Sequence, residues 1–124
     1  MHEHLYYYRV KEVVSVYDGD SLRIVIDMGF KMYAEHPVRL ARIDTPEMRS
    51  PDPELQAKAT LARDYLRGRL EGAMSAGADV VVRSVKLEKY GRALCELYID
   101  DKNINEEILE LGLGVGYAGG HRGS

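Results

Sequence analysis

The chain has 124 residues, 45% of them hydrophobic and 30% charged, with a formal net charge of −3. This argues for one domain with one modest core. No apolar run approaches the roughly 18 residues of a membrane span, and the single cysteine excludes an internal disulfide. The acidic balance counts against a dedicated duplex-DNA binder, which is usually basic, but not against a cleft that is basic only locally.

Met1 to Tyr8 lacks a basic region followed by an apolar core, so no signal peptide is expected there. With the lone cysteine, this gives a cytoplasmic protein as the expectation; separately, a monomer is expected. Val10 to Tyr17 reads as a strand, and Asp18-Gly19 as the turn into a second strand, in which Leu22, Ile24 and Ile26 share one face. Asp27-Met28-Gly29 is the next turn. A third strand is predicted to run through Val38 and Arg39 to Ile43 before Pro46 stops regular pairing.

Asp52 suits a helix N-cap, with Pro53 at the first helical position. The stripe Leu55, Ala59, Ala62, Leu66 and Leu70 predicts an amphipathic helix whose core face it forms, ending at Gly72. Asp79 to Val85 is a strand by its β-branched run. Arg92 to Ile99 is another, with Ala93, Cys95, Leu97 and Ile99 on one face. A second helix is predicted over Asn103 to Leu111, capped by Asn103 and closed by Gly112. The pattern is α+β, mainly β. Five short strands with a helix before the fourth suit a small closed barrel of the oligonucleotide-binding type. We expect a single domain over 1–124, with its core at about 10–117 and a flexible tail over 118–124.

Three groups of residues carry chemistry. Asp18-Gly19-Asp20 and Asp44 supply carboxylates suited to a hard cation, too few for a closed cage, so that water and a phosphate would complete the coordination. Asp-Gly is also common in plain hairpin turns, so this motif is weak alone. Glu47, three residues past Asp44 and beyond a proline, can take a proton from a water near the cation. Arg39 and Arg92 can each make paired hydrogen bonds to phosphate oxygens. Arg42 should face away from Arg39 in a regular strand and is assigned no role. Cys95 alternates with apolar residues and reads as a core filler.

The order Asp18-Gly19-Asp20, Arg39, Asp44-Thr45-Pro46-Glu47, then Lys89-Tyr90-Gly91-Arg92 resembles that of the staphylococcal nuclease (thermonuclease) family. The resemblance runs from about Val10 to Tyr117 and is specific as a combination. It implies a five-stranded barrel of the oligonucleotide-binding fold with two helices. It also implies a calcium-dependent nuclease acting on DNA, with RNA left open, that leaves 3′-phosphate ends. Asp20, Asp44 and the Thr45 carbonyl would be the calcium ligands. Arg39, Glu47 and Arg92 would be catalytic, and Lys89, Tyr90 and Tyr117 would touch substrate.

Ser21 stands where many relatives have threonine, and the segment after the second helix is shorter than theirs. A basic rim of Lys86, Lys89, Arg92 and Arg39 on an acidic protein points to weak, salt-sensitive binding of single strands or frayed ends. The competing expectation is a barrel that binds nucleic acid or protein without catalysis.

Overall fold

A computed structural model describes residues 6–116. Its strands are β1 (Tyr7–Asp18), β2 (Ser21–Asp27), β3 (Tyr33–Leu40), β4 (Ile43–Asp44), β5 (Val80–Leu87), β6 (Ala93–Ile99), β7 (Lys102–Asn103) and β8 (Val115–Gly116). Its helices are α1 (Pro53–Ser75) and α2 (Ile104–Glu110). The long strands lie in the order β3-β2-β1-β5-β6, and β3 also pairs with β6. That last, parallel pairing matches Arg39 with Leu94 and Leu40 with Cys95, and it closes the five strands into a barrel. Among the described residues no helix is long and apolar enough to cross a membrane.

The core follows from the alternation of the strands. Leu22, Ile24, Val38, Leu40, Val82 and Leu97 point inward and are almost wholly buried. Helix α1 covers the barrel with Ala59, Ala62, Leu66 and Leu70. The Asp52 side chain accepts the Glu54 amide, and Pro53 opens the helix as its sequence suggests. Cys95 lies in the core, where burial pushes its thiol up to about 12, so it is inert at neutral pH.

Two boundaries and one core assignment differ from expectation. Helix α1 passes through Gly72 and ends at Ser75, and Gly77 at φ +71° takes the left-handed position beyond it. Leu55 is 43% exposed rather than core, because it lies in the first turn of α1 and faces an open cleft. The third strand stops at Leu40, since Ala41 and Arg42 form a turn with Arg42 at φ +68°. Arg42 does point away from Arg39, but through this turn rather than through strand alternation. It forks onto the buried carboxylate of Glu96, with both bonds at 2.8 Å.

Beside the buried Ile104 and Ile108, the Asn105 side chain fastens helix α2 to the barrel seam. Asn105 is fully buried; its Nδ2 donates to the carbonyls of Ala41 (2.8 Å) and Cys95 (3.1 Å), and its Oδ1 accepts the Leu97 amide (2.9 Å). Asn105→Ala should therefore destabilise by about 3 kcal/mol, since each buried group left without a partner costs about 1–3 kcal/mol. Urea unfolding of the variant checks this.

A second anchor joins the two helices. Glu107 on α2 takes a forked ion pair from Arg69 (2.7 and 3.1 Å) and a hydrogen bond from the Tyr65 hydroxyl. The Arg69 bonds hold the Glu107 carboxyl below its ordinary 4.5 against the opposing effect of burial. A carboxyl depressed in the folded state adds stability above its unfolded pKa. That stability is lost as pH falls through the folded value. Glu107→Gln should thus be less stable at pH 7 and should lose less on acidification below about pH 4.5. Denaturant titrations at pH 7 and pH 3 would show parallel losses in both proteins if Glu107 were not the linked group.

Candidate active site

The hairpin between β1 and β2, the end of β3 and the segment from β4 to Glu47 meet at one end of the barrel. Asp20 is pinned there as it leaves the hairpin. Its Oδ1 accepts the Ser21 hydroxyl (3.0 Å) and its Oδ2 the Thr45 amide (3.0 Å). Arg39 reaches the same point from β3, where it pairs directly with Ser21. Its guanidinium lies 3.4 Å from Asp20 Oδ2 and 3.6 Å from Asp44 Oδ1, and it donates to the Ile43 carbonyl at 3.2 Å. The side chains of Asp20 and Arg39 are only 2% and 5% exposed, that of Asp44 17%. Two carboxylates thus converge on one buried guanidinium. Arg39 belongs to this cluster and not to an outer basic rim, which corrects the expectation for that residue.

Thr45 holds the cluster together. It is buried and its amide is bound to Asp20, while its methyl is wedged between two glycines. A Cβ at Gly19 would lie 3.0 Å from Thr45 Cγ2, and one at Gly114 2.9 Å from it. Gly19 does not have a positive φ, so its place in the turn is not what demands glycine. The demand comes from α1. A Cβ at Gly19 would stand 2.6 Å from the Ala62 Cβ and 3.1 Å from its backbone carbon.

Gly19→Ala should accordingly cost about 1–3 kcal/mol as the helix is forced back, a typical overpacking loss. Ala62→Gly should relieve part of it. A double-mutant cycle in urea with no coupling between the two positions would contradict this account.

Asp44, Thr45 and Glu47 open onto a cleft of about 500 Å³ between the start of α1 and the 112–116 segment. Leu55, Leu61 and Leu113 supply its apolar wall. Glu47 is exposed on this cleft, and its carbonyl accepts the Ser50 amide (3.1 Å), closing a turn. The strand pair β4–β8, matching Asp44 with Val115, forms the cleft's floor.

Arg92 stands apart from that cluster. Its Nε pairs with Glu88 Oε1 at 3.1 Å, and it lines a second cleft of about 380 Å³ with Asp18, Pro37 and Val38. Lys89 and Tyr90 lie on the hairpin between β5 and β6, with the Lys89 ammonium 5.7 Å from the Tyr90 ring centre. Gly91 turns that hairpin at φ +90°, which suits glycine. Tyr90 is 85% exposed, and neither Lys89 nor Tyr90 lines either cleft. Tyr117 lies outside the described residues.

Among the described residues no three or more His, Cys, Asp or Glu side chains group as a metal cage. Asp20 and Asp44 offer hard carboxylate oxygens of the kind calcium takes; of the two, Asp44 lines the open cleft, while Asp20 backs it from the buried side. Two carboxylates against one guanidinium also leave the cluster net negative, which attracts a cation and repels a bare phosphate.

A family model described as Staphylococcal nuclease homologue matches residues 37–122. The match takes in the end of β3, the Asp44–Glu47 segment and both helices, and it begins after the Asp18–Asp20 turn.

Proposed function

The chain belongs to the staphylococcal nuclease homologue family, and from that membership we propose that it is a calcium-dependent nuclease that hydrolyses phosphodiester bonds of DNA. The supporting observation is the convergence of Asp20 and Asp44 on Arg39, in a buried cluster that opens at Asp44 onto the cleft of Glu47. Asp20, Asp44 and the Thr45 carbonyl are the residues that would hold calcium. When bound, the ion supplies the positive charge that draws in a phosphate and acidifies a nearby water.

The remaining steps fall to the chain's own groups. Glu47, exposed on the cleft, accepts the proton of the attacking water. Water attacks phosphorus in line, the bond to the 5′ oxygen breaks, and that oxygen takes a proton from solvent. The product keeps a 3′-phosphate. Arg39 and Arg92 meet the charge that builds on the non-bridging oxygens. Arg39 is pre-positioned by Ile43 and the two aspartates, while Arg92 approaches from the neighbouring cleft. Lys89 and Tyr90, on the hairpin that carries Arg92, extend the contact to the flanking strand.

The test is digestion of single-stranded DNA, duplex DNA and RNA in calcium, with the product ends read by their sensitivity to phosphatase. Cleavage leaving 3′-phosphates is expected, fastest on single strands. Binding without cleavage would overturn the proposal in favour of a non-catalytic barrel.

A further inference from the structure

We propose that the second cleft is a strand-binding subsite, in which Arg49 takes the phosphate next to the scissile one and the Tyr17 ring takes a base. This rests on the nuclease reading above, and it assigns work to two residues that the reading leaves unused.

The cleft is lined by Arg92 and Arg49 together, with Tyr17 at its edge and Pro37 and Val38 in its wall. Two guanidiniums in one concavity suit a polyanion. Arg92 is committed through its Nε to Glu88. Among the described residues Arg49 forms no ion pair, and it is exposed. Its backbone position is nevertheless fixed by its neighbour. The Met48 amide donates to Asp18 Oδ1 (2.9 Å), and the Met48 carbonyl accepts from Gln56 (3.4 Å). The turn is closed further by the Ser50 amide on Glu47 and the Asp52 amide on the Ser50 hydroxyl.

Glu47 and Arg49 therefore sit two residues apart on one anchored turn. Glu47 faces the first cleft and Arg49 the second. A strand whose scissile phosphate lies at Arg39 and Arg92 would thus carry its neighbouring phosphate to Arg49. Asp18 is the one acid in the lining, and its Oδ1 is taken up by Met48. Tyr17 is 62% exposed and lines this cleft, so its ring is open to a base. Base stacking on such a face needs an unpaired strand.

The experiment is fluorescence anisotropy with labelled deoxythymidylate dimers and octamers, in calcium across a salt range. The proteins carry Glu47→Gln to stop turnover, with and without Arg49→Ala or Tyr17→Ala. Both positions are on the surface, and circular dichroism verifies folding. Octamer binding should weaken about tenfold in each variant, while dimer binding changes less than about twofold. Arg49→Ala should also make the salt slope shallower by about 0.7, the value for one phosphate on a single strand; Tyr17→Ala should leave the slope alone.

Unchanged octamer binding overturns the proposal. So does equal weakening for both lengths, which would place the residues at the central site, or an absence of octamer binding in the parent. Cleavage by the unmodified protein is assayed separately. Length-dependent binding without any cleavage would sink the nuclease reading and leave the subsite standing.

Discussion

Removing calcium with a chelator is expected to reduce turnover by about 10³-fold or more, with magnesium restoring little of it. The reason lies in the charge of the cluster. Asp20 and Asp44 outnumber the one guanidinium that lies between them, and Glu47 adds a third carboxylate on the adjoining cleft. A phosphodiester approaching that end of the barrel meets net negative charge unless a cation is present. Charge stabilisation by a bound cation is worth several kcal/mol, and each 1.36 kcal/mol is about tenfold in rate. Magnesium demands near-ideal octahedral geometry and gives up water reluctantly, whereas calcium tolerates an irregular set of oxygens. Two aspartates and a carbonyl held by a turn are such a set. Initial rates on single-stranded DNA with excess chelator, then with each metal added back, provide the measurement. Undiminished cleavage in chelator would remove the cation from the mechanism.

The parts of this fold that sequence revealed are those governed by local rules. Alternation in Leu22, Ile24 and Ile26, and again in Cys95, Leu97 and Ile99, sets which strand faces are inside. Asp52, Pro53, Asn103 and Gly112 mark helix ends because capping and left-handed turns have few chemical solutions. Gly72 misled because a glycine inside a helix only weakens it; Gly77 supplied the true stop. The order of acidic and basic residues marked out the candidate site, and the structure gathers Asp20, Arg39, Asp44 and Thr45.

Long-range packing left no such mark. Nothing near Gly19 announces Ala62, and nothing near Asn105 announces Ala41 and Cys95, which it joins across the barrel seam. Burial of Arg39 was likewise hidden. A strand arginine reads as a surface charge until one aspartate from the β1–β2 turn and one from β4 are seen to close over it.

Arg39→Lys and Arg92→Lys are each expected to lose about 10²–10³ in turnover although charge is conserved. That is the usual loss for one donor aimed at developing transition-state charge. A lysine offers a point charge in place of a planar fork, so paired bonding to two phosphate oxygens disappears. The two positions test different things. Arg39 is buried and also bonds the Ile43 carbonyl, so its variant loses some stability, and its turnover must be compared at a temperature where both proteins are folded. Arg92 has a side chain 41% exposed and one ion pair to Glu88, so its variant should fold normally and report on chemistry alone. If Arg92→Lys kept near-normal turnover, the second cleft would be a binding surface only, and Arg39 alone would face the reacting phosphate. If Arg39→Lys did so, the buried guanidinium would be a structural partner for Asp20 and Asp44 rather than a catalytic one. A fall in kcat with KM little changed, in both variants, is the pattern that two arginines acting on the transition state require.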